Sequence, residues 1–359
     1  MKIREIEHYR LDMELEVPYT IAYETVTHAT NIILKLITDT GIIGWGCAAP
    51  DAVVTGESPE DVVETIDSVI MDMLLGQSPF QIARVIDNLK QYVPQPSSAM
   101  AMVDMALYDI MARQAGLPLY QLLGGFRHDI ATSITIGIVS VEETLEQARK
   151  HLLNGFSIIK LKGGLNLAED IEKVLKLRQT YGQDFVLRFD ANQGYSFSQA
   201  VEFIDSIKSA NLEIIEQPTS EKKDARLGRV TQAVAVPVMA DESIKSLKDA
   251  FRLASNDLID MINIKLMKVG GILESQHINS VAKAAGMEVM IGCLDESALG
   301  ISAGLHFALS RANIEYADLD GNLDLVNDPF SGLFHLKNGI LSPSDAPGLG
   351  YIDEKRLTP

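Results

Sequence analysis

The sequence predicts an α/β fold, a (β/α)8-type TIM barrel with an N-terminal α+β capping domain that the C-terminal tail completes. Three observations lead there. From residue 130 onward, short apolar runs of strand character alternate with helical patterns through eight units. The first 125 residues instead give strands and then helices. The later strand-like runs also end in lysines and acids, and the C-terminal ends of barrel strands are where functional groups gather.

The cap comes first. Residues 2–16 alternate imperfectly, 31–38 read Asn-Ile-Ile-Leu-Lys-Leu-Ile-Thr, and Asp39-Thr40-Gly41 turns the chain into Ile42-Ile43-Gly44-Trp45-Gly46. Alternating runs bounded by turn residues predict an antiparallel meander. Between the first two strands, Pro18 to Thr25 reads as a polar and aromatic loop, too long for a hairpin and of the kind that covers sites. Ser58-Pro59-Glu60-Asp61 sets an N-cap before a proline and acids, which starts a helix, and Ser78-Pro79 repeats the signal before 80–91. Residues 97–114 predict a third helix, stopped by Gly116 and Pro118.

The barrel strands are expected at 131–137, 157–162, 185–190, 212–216, 236–240, 260–265, 287–291 and 314–318, separated by helical patterns such as 141–153 and 196–209. Eight units are compact for a barrel but too many for the usual open doubly wound sheet. The expected division is therefore a cap at 1–125, a barrel at 126–318, and a tail at 319–359 that packs back on the cap.

Composition narrows the function classes. The chain has 359 residues, 47% hydrophobic and 22% charged, and a formal net charge of −18. That acidity disfavours nucleic acid and anionic membrane surfaces as partners. Cys47 and Cys293 match no metal or redox spacing, so two structural thiols in a reducing compartment are expected. The first sixteen residues carry charges throughout and no run of 18 apolar residues occurs, which points to a cytoplasmic protein. Assembly into homo-oligomers is left open.

The chemistry sits at the strand ends. In Ile158-Ile159-Lys160-Leu161-Lys162-Gly163-Gly164, alternation puts Lys160 and Lys162 on one face, about 7 Å apart. An unpaired buried ammonium tends to lose its proton, so a lysine here is a candidate base. Asp190, Glu216 and Asp241 end three neighbouring strands, each about one βα unit from the next, and Lys265 ends the strand after them. Three converging carboxylates repel one another unless they are protonated or bound to a cation. An all-oxygen set without His or Cys suits Mg²⁺. Lys162 and Lys265 then face each other across the metal, which suits proton abstraction beside a carboxylate: the cation stabilises an enediolate while one lysine removes the proton and the other returns it to the opposite face.

This set resembles the enolase superfamily and, within it, the muconate-lactonizing-enzyme subgroup. The matching motifs are Lys160-Leu161-Lys162, Asp190-Ala191-Asn192, Glu216-Gln217-Pro218, Ala240-Asp241-Glu242-Ser243 and the run from Asn263 to Gly271, and the likeness covers nearly the whole chain. The resemblance implies one Mg²⁺ held by Asp190, Glu216 and Asp241, an acid/base pair in Lys162 and Lys265, and Lys160 contacting the substrate carboxylate while depressing the proton affinity of Lys162. The mandelate-racemase-like branch uses a His-Asp dyad, and this sequence has no histidine at these strand ends.

Within the subgroup, Asp318 and Asp320 point to dipeptide epimerases, which use such a pair for the substrate's α-ammonium group; muconate and succinylbenzoate have none. Family members acting on Ala-Glu place an arginine in the covering loop, whereas this loop carries Tyr19, Tyr23 and Glu24. The expected reaction is inversion at the C-terminal residue of Ala-Xaa dipeptides, with Xaa small, apolar or uncharged polar (Ala, Val, Ser, Thr), and with Tyr19 and Glu24 lining the side-chain pocket. Glu24 leaves a cationic side chain open. Asp295, Glu296 and Ser297 are expected to line the same pocket and Thr135 to contact the peptide. N-acylamino acid racemase, o-succinylbenzoate synthase and muconate cycloisomerase are the alternatives in the subgroup, and a non-catalytic Mg²⁺- and carboxylate-binding protein is the alternative outside it. A barrel metallohydrolase should show His-x-His at the first strand, where Thr135-Ile136-Gly137 stands.

Overall fold

A computed structural model gives the architecture. It describes residues 1–20, 25–94 and 97–357, without the side chains of Tyr19 and Thr20. The cap sheet is antiparallel, ordered β1 (Ile3–Thr20), β2 (Thr25–Thr38) and β3 (Ile43–Ala48). Of the expected loop at 18–25, residues 21–24 lie outside the described residues and the ends on either side are strand: Tyr19 lies opposite Val26 and Thr20 opposite Thr25, past an irregularity after Glu14. Pro18 falls in that irregular stretch, where the missing N–H breaks no ladder bond, and beyond it pairing resumes.

After the sheet come α1 (Pro59–Thr65), a π-helical turn at Ile66–Ile70, α2 (Met71–Leu74), α3 (Ile82–Leu89), α4 (Ser98–Ala115) and α5 (Leu119–Leu122), with α1 and α4 packed on the sheet. Ser58 and Asp61 form the expected capping box of α1. Ser78-Pro79 opens only a turn, and α3 starts at Ile82 rather than at residue 80, without a side-chain cap. α4 is buried almost all round because β3 lies directly on it. A Cβ at Gly46 would stand 1.9 Å from the Met102 carbonyl oxygen, so glycine is what allows the approach.

The barrel alternates β4 (Ile130–Ala131), β5 (Ile134–Ile136), α6 (Val141–Leu153), β6 (Ile158–Lys162), α7 (Leu167–Tyr181), β7 (Val186–Asp190), α8 (Phe197–Ser206), β8 (Ile214–Glu216), α9 (Asp224–Ala233), β9 (Val238–Ala240) and α10 (Leu247–Ala254). It continues with β10 (Met261–Lys265), α11 (Leu266–Val269), α12 (Ile272–Ala284), β11 (Glu288–Gly292), α13 (Ala298–Ser310) and β12 (Ile314–Asp318). β5 to β12 form one eight-stranded parallel sheet in sequence order. A parallel bridge between Thr132 and Ala317 closes it, with the Ser133 amide donating to the Ala317 carbonyl at 3.2 Å. The expected first strand is thus split. Its start, β4, leaves the barrel to pair with β14 (Ile340–Pro343), which pairs in turn with β13 (Phe334–Lys337).

The tail also reaches the cap. Leu325 bridges Leu15, and the Leu349 amide donates to buried Asp109 of α4 at 2.8 Å. Among the described residues, no helix is long and apolar enough to cross a membrane.

Candidate active site

The strand ends carry the charged residues into one cavity of about 460 Å³ under the cap, lined among others by Lys160, Lys162, Asp241, Lys265, Asp318 and Asp320. Local backbone explains why they converge. In the parallel register Lys162 lies beside Asp190 and Asp190 beside Glu216, so successive strands present their ends at one level. Directly after Lys162 the chain must turn close against its neighbour. A Cβ at Gly164, whose φ is +99°, would stand 2.1 Å from the Ala191 carbonyl oxygen. Asn192 and Gln217 adopt positive φ at the next two strand ends. Gln217 then uses its carboxamide to accept from the Asp241 amide at 3.0 Å, tying the fourth strand end to the fifth.

The electrostatics are a crowd of acids threaded by lysines. Lys160 is almost fully buried and lies 2.7 Å from Glu216, 2.7 Å from Asp318 and 3.3 Å from Asp190. Burial opposes its charge, but Asp318, Glu216 and Asp190 hold the ammonium well above its ordinary range. Lys265 lies 2.9 Å from Asp241 and is raised likewise, burial again opposing, with Asp241 the main support. Neither lysine is therefore poised to lose its proton in this state, unlike the expectation for an unpaired buried lysine. Lys162 stands 3.7 Å from Asp190. Burial pushes Glu216 up to about 7, with Lys160 pulling it down and Asp190 and Asp241 adding to the push. Burial also works against Asp241, yet Lys265 and Lys268 hold its carboxyl far below the usual range.

Two participants escaped the sequence reading. Lys268, fully buried on α11, donates to the Asp241 side chain and carbonyl. Glu242 lines the cavity with its Oε2 buried and without a hydrogen-bond partner, and burial together with Asp241 and Asp190 pushes its carboxyl up to about 8. The sequence offered both inside the quoted motifs, at one and three residues from the assigned positions, but nothing there told which neighbours would face the cavity.

The remaining expected residues divide. Asp320 accepts from the Thr135 amide at 2.7 Å, so the first and eighth strands touch there. Burial and Asp318 push its carboxyl up to about 7. Asp295 lines the cavity. Glu296 and Ser297 do not reach it: Glu296 turns inward to accept from the Leu294 amide at 3.0 Å, and Ser297 caps α13 and donates to Asp328 at 3.1 Å. The reason is the cap, since Asn31 of β2 accepts from the Ser297 amide at 2.6 Å and donates to the Asp295 carbonyl at 3.0 Å, fixing which residues of this turn face inward. The Tyr19 side chain and Glu24 lie outside the described residues.

As for a metal, among the described residues no three His, Cys, Asp or Glu side chains already surround one point, because ammonium groups sit against the acids. The donor chemistry nevertheless fits a hard cation. Asp190, Glu216 and Asp241 offer only oxygen, six carboxylates at these strand ends face four lysines, and cavity-lining Asn192 and Glu242 each keep a buried side-chain oxygen without a partner.

Two family descriptions divide the chain between them. Residues 143–355 match "Enolase C-terminal domain-like" and residues 5–124 match "Mandelate racemase / muconate lactonizing enzyme, N-terminal domain". The chain belongs to the mandelate racemase / muconate lactonizing enzyme family. This family member is similar to the L-Ala-D/L-Glu epimerase of Bacillus subtilis, with 39% identity over 98% of this chain and 97% of that one. It is also similar to the L-Lys-D/L-Arg epimerase of Desulforapulum autotrophicum, with 40% identity over 98% and 99%. A solved structure of the dipeptide epimerase from Enterococcus faecalis, complexed with Mg and the dipeptide L-Leu-L-Tyr, superposes with a TM-score of 0.95 at 36% identity, covering 98% of this chain and 99% of that one. This family member is an enzyme of the isomerase class.

Proposed function

We propose that this enzyme is a Mg²⁺-dependent dipeptide epimerase that inverts the α-carbon of the C-terminal residue. The observation that carries the reading is one cavity lined by both Lys162 and Lys265, with Asp190, Glu216 and Asp241 on the strands between them. Asp190, Glu216 and Asp241 would hold the cation, which when bound stabilises negative charge developing on the substrate carboxylate. Lys160, which lies 2.7 Å from Asp318, binds that carboxylate. Lys162 and Lys265 exchange a proton with the α-carbon, one at each face, so that the neutral partner acts as base and the charged one as acid. The acids at the eighth strand end, beside the Thr135 amide, take the substrate's α-ammonium group.

The second side chain is expected to be small, apolar or uncharged polar. Support comes from Val26, Ala29, Ala49, Val53 and Leu294, which line the cavity, while Asp51 spends one carboxylate oxygen on the Val53 and Val54 amides.

The test is an exchange assay: L-Ala-L-Xaa and D-Ala-D-Xaa panels incubated in D₂O with Mg²⁺, followed for deuterium at the second α-carbon. Exchange is expected with Ala-Ala, Ala-Val, Ala-Ser or Ala-Thr. Reaction of N-succinylamino acids or succinylbenzoate precursors with no exchange in any dipeptide would overturn the proposal.

A further inference from the structure

Lys162 differs from the other cavity lysines in how it is held. Lys160 has three acids within 3.3 Å and Lys265 has Asp241 at 2.9 Å, whereas among the described residues the one acid within 4.0 Å of the Lys162 ammonium is Asp190, at 3.7 Å. Lys162 is therefore fixed less at its tip than at its root, by the backbone that carries it. That backbone turns at once. The Gly163 amide donates to the Asp190 carbonyl at 2.9 Å, and Gly164 follows with a φ of +99°. Against this turn sits Asp170, a buried acid in the first turn of α7. Its Oδ2 accepts from the Gly164 amide at 2.9 Å and from the Tyr195 hydroxyl at 2.7 Å. The fit is close, since a Cβ at Gly163 would stand 2.7 Å from Asp170 Oδ1. Tyr195 is buried and fixed in turn: its ring stacks on Phe189, the residue before Asp190, and its amide donates to the Pro218 carbonyl at 3.0 Å. One carboxylate thus joins the turns after β6 and β7, and Tyr195 adds the end of β8. Neither Asp170 nor Tyr195 is among the described residues that line the cavity.

We propose that Asp170, locked by Tyr195, is a positioning residue for Lys162: it braces the two-glycine turn from outside the cavity and so sets where that lysine meets one face of the α-carbon. Glycine supplies the bend but no side chain to hold it, so the turn depends on a partner for its amide. Without the carboxylate, the Gly164 amide and the Tyr195 hydroxyl lose a buried acceptor and the turn shifts to find others. A lysine stem is flexible, and a displacement of about 1 Å at a reacting group costs up to about 10²-fold in rate. Lys265, on β10, is fixed by Asp241 instead, so the brace acts on one face of the reaction only. The assignment rests on the two-lysine chemistry proposed above.

The experiment uses the full chain with Mg²⁺ in D₂O and follows deuterium entering the second α-carbon of L-Ala-L-Ala and of L-Ala-D-Ala, each from its initial rate. Lys162→Ala identifies the epimer that Lys162 serves, as the one whose exchange is lost. Asp170→Ala is expected to slow exchange of that same epimer about tenfold or more, while the other epimer and both KM values stay within about threefold. Tyr195→Phe, which removes one hydroxyl, should give the same bias more weakly, so the prediction stands even where Asp170→Ala fails to fold. Asp170→Asn keeps an oxygen for both donors and should return the biased epimer to within about threefold of wild type. A merely structural loss slows both epimers alike. Equal slowing of both, unchanged rates in Tyr195→Phe, or slowing confined to the epimer that Lys265 serves would overturn the role of Asp170 and leave the dipeptide reading standing. A wild type that exchanges N-succinylalanine but neither dipeptide would remove the dipeptide reading alone, and the same comparison on the two N-succinylalanine enantiomers then decides the role of Asp170. Exchange of none of these by wild type would remove both.

Discussion

Lys162 and Lys265 are the same amino acid in unlike settings. The Lys162 side chain is 16% exposed with Asp190 at 3.7 Å, whereas that of Lys265 is 9% exposed and pairs with Asp241 at 2.9 Å. On a two-base reading each serves one face of the α-carbon, so the two variants should fail differently. Lys162→Ala and Lys265→Ala are each expected to lose about 10²-fold or more of epimerisation while still exchanging the α-proton of one epimer only. Equal loss of exchange with both epimers would count against two bases. The strand lysines and the three acids were legible because period-2 alternation and βα spacing assign them a face and a level. Lys268 was not, since helical spacing after a strand cannot say that its ammonium bends back under Asp241. Asp318 was named from the sequence but its pairing with Lys160 was not, because alternation gives a direction but not a partner, and the partner lies on a strand 158 residues away.

At the scale of elements, the turn after β11 separates neighbours that look alike in sequence. Asp295 faces the cavity while Glu296 is buried, and burial pushes the Glu296 carboxyl up from 4.5 to about 8. A carboxyl whose folded value lies above its unfolded value binds more protons in the native state. Its contribution to stability is present in full below 4.5 and is lost as pH rises through about 8. Wild type should therefore lose Tm between about pH 5 and 8. Glu296→Gln, which keeps the acceptor for the Leu294 amide, should show a shallower decline and a higher Tm at about pH 8. Equal slopes for the two proteins by calorimetry would refute this origin. Buried Asp104 and Glu242, pushed up to about 8, and Glu216 and Asp320, pushed up to about 7, supply a residual slope in both. Element identity was readable along most of the barrel because each strand is a short apolar run. The ribbon of β1 and β2 was not, since Pro18 reads as a break and the pairing beyond it depends on the partner strand.

The whole molecule is tied together at Asp109. This wholly buried acid accepts from the Trp45 amide at 3.0 Å and the Leu349 amide at 2.8 Å, and pairs with Arg113 at 2.8 Å. Asp109→Ala would leave two buried amides and a guanidinium without their acceptor, and a destabilisation of about 3 kcal/mol or more by denaturant unfolding is expected. A change below about 1 kcal/mol would show that water replaces the carboxylate freely. Sequence patterns could outline a cap, a barrel and a tail, but a clamp joining residues 45, 109 and 349 has no local signature. The same clamp sets an order of events during synthesis. The cap's strands and α4 leave the ribosome long before Leu349, so while the barrel is being made the cap lacks its last backbone partner. Docking of Leu349 on the cap therefore follows synthesis of the barrel strands, and contacts of such long sequence separation are expected to form late in folding.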